Sequence, residues 1–300
     1  MADRTWIKSD STGPGSPIVH GLYDADTGSW QYVMACPETK RAAIVDPVLD
    51  FSPQAARTST GNAEALLGKV REEGYDLQWI LDTHPHADHL TAGGWLKDQT
   101  GCPHVIGEKC REIAVLWREF YNLPDGLDVA ASYDRLLADG ETFRLGNIDV
   151  RVMLSAGHTL GSITYVAGDA AMVHDTLMHV DVGSTRADFP GGSSGVLWDS
   201  IQALLALPGE TRLFVGHDYG TKTRDEPACE ATVAEHRASN PHVGGDATRE
   251  GFVKLRDDRD ATLKLPDRML HALQVNLRGG RLPEPEADGR SYFKIPANRF

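Results

Sequence analysis

The sequence predicts an α+β protein in which strands assemble into sheets with helices on their outer faces. Three observations carry this. Segments with a strand period fall into two groups along the chain. Helical segments lie between these groups. The chain has 300 residues, 41% hydrophobic and 24% charged, enough apolar content to bury a sizeable core. No internal repeat or low-complexity tract competes with this reading.

Taken in order, the first 16 residues are polar and rich in Gly, Ser and Pro, and are expected to form a loose arm. Residues 29–48 read as two strands joined by a polar turn at Pro37 to Arg41. Residues 62–74 read as a helix with Asn62 as its cap and Gly74 as its stop. The run DLQWILDT is a strand, TAGGWLKDQTG a short helix, and residues 108–121 a longer one. Ile148, Val150, Val152 and Leu154 alternate as a strand does. A hairpin turning at Gly168 and Asp169 follows. Leu197, Ile201, Leu204 and Leu205 keep helical spacing behind a serine cap, and TRLFVGHDYG supplies another strand. Helices are expected near 225–239 and 247–263, then a Pro- and Gly-rich tail. The whole reads as one domain over 1–300, with a core of about 17–220 and a C-terminal extension of about 221–300.

The formal net charge of −13 argues against nucleic acid or an anionic membrane as a partner, since most of the surface would repel either. No apolar stretch has the length of a signal peptide core or a membrane helix. Cys36, Cys102, Cys110 and Cys229 form no C-x-x-C pair and read as reduced thiols, so a cytoplasmic location is expected.

The chemistry concentrates in the stretch WILDTHPHADHLTAGG. His84, His86, Asp88 and His89 form H-x-H-x-D-H on a loop that follows a strand. Pro85 restricts His84 to extended backbone and stiffens the loop. His158, Asp175 and His217 are each the polar residue just past an apolar run. If the strands lie side by side, their ends converge on one edge and bring all seven side chains together. Imidazoles with carboxylates and no thiolates suit a catalytic zinc, iron or manganese site. The other histidines, His20, His104, His174, His179, His236, His242 and His271, fall in no such pattern and are expected as core or surface residues. Trp95, Trp117, Phe120 and Tyr121 are expected in the core, and the run RDDRD at 256–260 on a solvated helix face.

With these motifs the sequence resembles the metallo-β-lactamase superfamily over roughly residues 17–220. The resemblance implies a four-layer αββα sandwich with metal at one sheet edge. The H-x-H-x-D-H form looks like the glyoxalase II and persulfide dioxygenase branches. STRADFPGG, carrying Arg186 and Asp188, is similar to the Arg-x-Asp-Phe segment of the dioxygenases, as is His217-Asp218-Tyr219. TVAEHRASNPHV and the closing LQVNLRGGRLPEPEADGRSYFKIP look like a bacterial subgroup of them. That branch implies one Fe(II) per chain held by His84, His158 and Asp175, a two-histidine, one-carboxylate set that leaves positions free for O2 and substrate. His86, Asp88, His89 and His217 would then orient these ligands or hold a second metal. The implied reaction converts glutathione persulfide, O2 and water to sulfite and glutathione, which needs a redox metal that zinc is not. Arg186, oriented by Asp188, is expected to meet substrate carboxylates, with Tyr219 as a hydrogen-bond donor and Lys222 and Arg224 nearby. The resemblance also makes a homodimer an expectation. The alternative is a binuclear zinc or iron glutathione thioester hydrolase of the glyoxalase II kind, with Asp175 between the metals.

Overall fold

The computed structural model describes residues 4–124 and 126–299. In chain order its strands begin with β1 (Trp6–Ser9), β2 (Ile18–Asp24), β3 (Ser29–Ala35), β4 (Arg41–Val45), β5 (Val48–Ser52) and β6 (Arg57–Ser59). There follow β7 (Asp76–Leu81), β8 (Leu90–Thr91), β9 (His104–Gly107), β10 (Arg135–Leu137), β11 (Thr142–Leu145) and β12 (Ile148–Leu154). The last are β13 (Ile163–Ala167), β14 (Ala170–Met172), β15 (Arg212–Phe214) and β16 (Glu230–Thr232). The helices are α1 (Gly61–Glu72), α2 (Gly93–Thr100), α3 (Cys110–Tyr121), α4 (Val129–Ser132), α5 (Ser194–Leu205), α6 (Val233–Ser239), α7 (Arg249–Asp260) and α8 (Met269–Asn276).

Two main sheets form, β1-β2-β3-β4-β7-β9-β10 and β11-β12-β13-β14-β15-β16, with a small sheet β6-β5-β8 beside them. Side-chain alternation fixes how they stack. On β3, Trp30, Tyr32 and Met34 point into the apolar cluster shared with the second sheet, packing with Val150, Val152, Tyr165 and Phe214. Val33 and Ala35 point the other way, onto Leu66 and Val70 of α1 and Leu96 of α2. Every residue of β3 is therefore buried. Leu197, Ile201, Leu204 and Leu205 of α5 cover the far face of the second sheet, with Phe252 of α7 behind them. The layers run helix, sheet, sheet, helix, as expected, and the hairpin turns where expected, with Ala167 opposite Ala170.

Four local expectations are corrected. Part of the N-terminal arm is a strand: β1 pairs antiparallel with β2, and Ile7 and Trp6 pack onto the core. Thr60, not Asn62, precedes α1; the Asn62 amide is taken by Asp50 and Asp24. The helix expected at 225–239 is shorter, because 230–232 pairs with β15, and α6 starts at a Thr232–Glu235 capping box. The tail holds α8, whose Ala272 and Val275 join the cluster over the first sheet.

Candidate metal centre

Strand direction brings the donors together. β4 runs parallel to β7, so Asp46 and the 82–89 loop leave the first sheet at the same end. In the second sheet β12 and β14 are each antiparallel to β13, and β14 is parallel to β15. His158, Asp175 and His217 therefore also follow strand ends on one side. A bridge from Ser29 to His217 joins the two sheets there. All seven expected residues lie in this one cluster.

The cluster is not uniform. His84 Nε2 and His158 Nε2 lie 3.7 and 3.6 Å from Asp175 Oδ2. These gaps are too long for hydrogen bonds and near the roughly 3–3.5 Å between donors that share an ion with bonds of about 2.0–2.2 Å. His84 Nε2 is buried without a hydrogen-bond partner. His158 Nδ1 donates to the Arg186 carbonyl at 2.8 Å, which leaves the Nε2 lone pair for a metal. The remaining groups close on each other. His217 bridges Asp175 Oδ1 and Asp88 Oδ2, each at 2.6 Å, and His89 Nδ1 lies 2.9 Å from Asp88. His86 Nε2 is held by Asp46 Oδ1 at 3.0 Å, while His86 Nδ1 and His89 Nε2 remain open donors. Orphaned buried nitrogens beside a carboxylate fit a metal and would be costly without one.

Electrostatics agree. Burial pushes His84 and His86 well below the ordinary imidazole range, so both are neutral, as ligands must be. Burial also opposes charge on Asp175 and Asp88, but His217 overcomes it and holds both far below the usual carboxylate range. Against its own burial, His217 is raised by Asp175 and Asp88.

Three members of the cluster were not expected: Asp82, held by His104 Nε2 at 2.9 Å, Asp46 and His174. Asp46 accepts from the Thr83 amide at 2.8 Å and so shapes the ligand loop. It too follows an apolar strand, the same signal that marked His158 and His217. His174, expected as a bland residue, lies with its ring 4.7 Å from that of His84 and its Nε2 2.6 Å from Asp46 Oδ2, without the alignment of a hydrogen bond. Its backbone is left-handed, φ 54°.

A cavity of about 520 Å³ opens over Asp88, His158, Asp175 and His217. Arg186 lines it but is committed: Nε and Nη2 grip Asp188 at 2.6 and 2.7 Å, as expected, and Nη1 reaches the Lys264 carbonyl. Tyr219 stacks on His217, ring centroids 5.9 Å apart, with 68% of its surface exposed. Lys222 and Arg224 do not line the cavity; Arg224 is bound by Asp218 and Asp181. The run RDDRD is not simply a solvated face. Arg256 and Asp260 are each 4% exposed, and Arg256 and Arg259 line the cavity along with His242. Arg259 is exposed, and its side chain has no acidic partner among the described residues. Trp117 and Tyr121 are core residues, as expected.

Gly28 tests the placement of Tyr219. At φ 72°, an added Cβ would sit 2.4 Å from Tyr219 Cε1. Gly28→Ala is expected to swing the phenol off His217 and raise the KM, and to lower stability by about 1–2 kcal/mol because a side chain is strained at that φ even though the exposed ring can move; steady-state kinetics and thermal unfolding check this.

The described residues include no helix long and apolar enough to cross a membrane. Comparison with known proteins places the chain. It is 52% identical over 295 residues to a beta-lactamase hydrolase-like protein of Xylella fastidiosa (strain Temecula1 / ATCC 700964), a match spanning 98% of this chain and 67% of that one. It is 38% identical over 278 residues to glyoxylase B2 of Dictyostelium discoideum, 92% of this chain and 95% of that one. It is 27% identical over 275 residues to the mitochondrial persulfide dioxygenase ETHE1 of Homo sapiens, 91% and 92%. Among solved structures, ETHE1 from Myxococcus xanthus superposes with a TM-score of 0.70 at 28% identity, covering 88% of this chain and 99% of that one. The family model for the metallo-beta-lactamase superfamily matches residues 25–217. With its two stacked sheets and the histidine–aspartate cluster at their shared edge, the chain belongs to the metallo-beta-lactamase superfamily.

Proposed function

We propose that the protein is an iron persulfide dioxygenase that oxidises glutathione persulfide. The observation that carries this reading is the asymmetry of the centre: His84, His158 and Asp175 Oδ2 keep a metal-sized gap, while Asp88, His217 and Asp175 Oδ1 are closed by hydrogen bonds. Similarity to two ETHE1 proteins supports it. The overall change is persulfide plus O2 plus water to glutathione, sulfite and two protons. The outer sulfur gives up four electrons and O2 accepts them. A ferrous ion in this set supplies redox chemistry that zinc lacks. The protein's own residues do the rest. The Arg186 carbonyl holds the His158 ring, and His217 fixes the second oxygen of Asp175 so that the first faces His84 and His158. Glutathione carries two carboxylates; Arg259, which lines the cavity and has no acidic partner among the described residues, takes the role first expected of Arg186, and Tyr219 donates a hydrogen bond.

The second reading, a binuclear glutathione thioester hydrolase, draws on the open nitrogens of His86 and His89 and the likeness to glyoxylase B2. Anaerobic purification with metal quantification, followed by O2 consumption on glutathione persulfide, separates the two. About one iron per chain and O2 uptake matched by sulfite are expected. Two metals per chain with thioester cleavage and no O2 uptake would remove the dioxygenase.

A further inference from the structure

Residues 183–188 have no strand or helix of their own, yet both His158 and Asp175 lean on them. His158 Nδ1 donates to the Arg186 carbonyl at 2.8 Å, and Thr185 Oγ1 donates to the Asp175 carbonyl at 2.6 Å. An irregular buried segment must find partners for its backbone groups outside any ladder. Gly183 and the Ser184 amide are met by His179, Met178, Asn240 and His242, and two groups further along are met by α7. Arg256 Nη1 donates to the Ser184 carbonyl at 2.9 Å, and Asp260 Oδ2 accepts from the Ala187 amide at 2.8 Å. Arg256 Nη2 and Asp260 Oδ1 are joined at 2.5 Å, one helical turn apart. The pair thus holds the segment at both ends, and the two residues between those ends are the ones that touch Asp175 and His158.

We infer that the buried Arg256–Asp260 pair positions the metal centre, acting through the 184–187 segment on His158 and Asp175. Burying two charges is costly even when they are paired, so such a pair is a poor way simply to pack a helix. A guanidinium fork and a carboxylate offer what apolar packing does not, namely fixed direction at two backbone groups. The tie is mechanical: the segment's path sets where the Arg186 carbonyl lies, and that carbonyl sets the tilt of the His158 ring. The inference rests on the chain binding a metal at this centre, not on iron or on dioxygenase chemistry.

Cobalt(II) is the probe, because its visible spectrum reports ligand geometry without substrate. Parent protein must first give a saturable Co(II) spectrum; if it does not, the metal centre itself is withdrawn, which is a separate failure. The double variant Arg256→Met with Asp260→Val comes close to the pair's combined volume and removes the polar ties. Its Co(II) spectrum is expected to shift and its Co(II) affinity to fall about 10- to 100-fold, the usual effect of losing a ligand's supporting partner. Phe252→Leu, on the same helix and packed in the core, is expected to lower the Tm and leave the spectrum alone. Thr185→Val, which removes the hydroxyl's tie to the Asp175 carbonyl and its longer contact with the Arg186 carbonyl, is expected to shift the spectrum in the same direction by less. A folded double variant with the parent's spectrum and affinity overturns the inference. Should the double variant not fold, an unchanged spectrum in Thr185→Val overturns it instead.

Discussion

Asp175→Ala will strip the protein of metal and of turnover. Asp175 is the one carboxylate that both halves of the centre use: Oδ2 faces His84 and His158 across the metal-sized gap, and Oδ1 is bonded to His217. Losing a partner behind a ligand typically costs 10- to 100-fold in metal affinity, so loss of this oxygen should exceed about 100-fold. It also leaves the buried His217 with one counterion, Asp88, in place of two. A buried charge stripped of its partner costs about 3–5 kcal/mol, and the surviving Asp88 contact should keep the loss below that range. Metal content after dialysis and oxygen uptake are the readouts. Asp88→Ala discriminates between the two functional readings. With one iron bound by His84, His158 and Asp175, it retains most of the metal; with two metals, it loses about half. Metal fully retained by Asp175→Ala would remove this residue from the ligand set.

Gly157→Ala is expected to cost about 2–5 kcal/mol and to misplace His158. Gly157 sits at φ 127°, where a side chain is strained, and an added Cβ would lie 2.3 Å from the backbone of Leu197 in α5. That helix cannot retreat easily, because Leu197 is fully buried and the Gly157 carbonyl accepts from the Ser193 amide at its N-terminus. Something must shift, and the next residue is His158. Thermal unfolding should show the loss, with metal affinity falling further than the stability change accounts for. Gly68→Ala is the control. In the middle of α1, with nothing within 4 Å of the added carbon, it should be neutral or stabilising by up to about 1 kcal/mol.

The residues of the cluster were legible because their signal is local: a polar donor shortly after an apolar strand. Asp46 carries that signal too, in AIVDP, and went unread because it lies far from the histidine cluster in sequence. His174 could not be found this way. Its ring reaches the cluster through a left-handed backbone at the single turn of 3-10 helix that follows β14, and periodicity does not encode that. Arg256 and Asp260 were misread for a physical reason. Charge predicts exposure only while it is unpaired, and two opposite charges one turn apart neutralise each other and can be buried together. Arg224 is expected near the substrate because the sequence does not show that Asp181 and Asp218 meet it. The α8 helix hid in a tail whose Pro and Gly residues lie mostly after it.

The donors that would grip an ion all come before residue 218, whereas one whole flank of the cavity above them is contributed by residues after 240. The space above the cluster is thus shaped in part by a stretch of chain that supplies none of its donors. Changes at the exposed cavity-facing positions of that helix would reshape this space without touching a donor, whereas positions 256 and 260, which tie the helix to the segment beneath, are the least free to change.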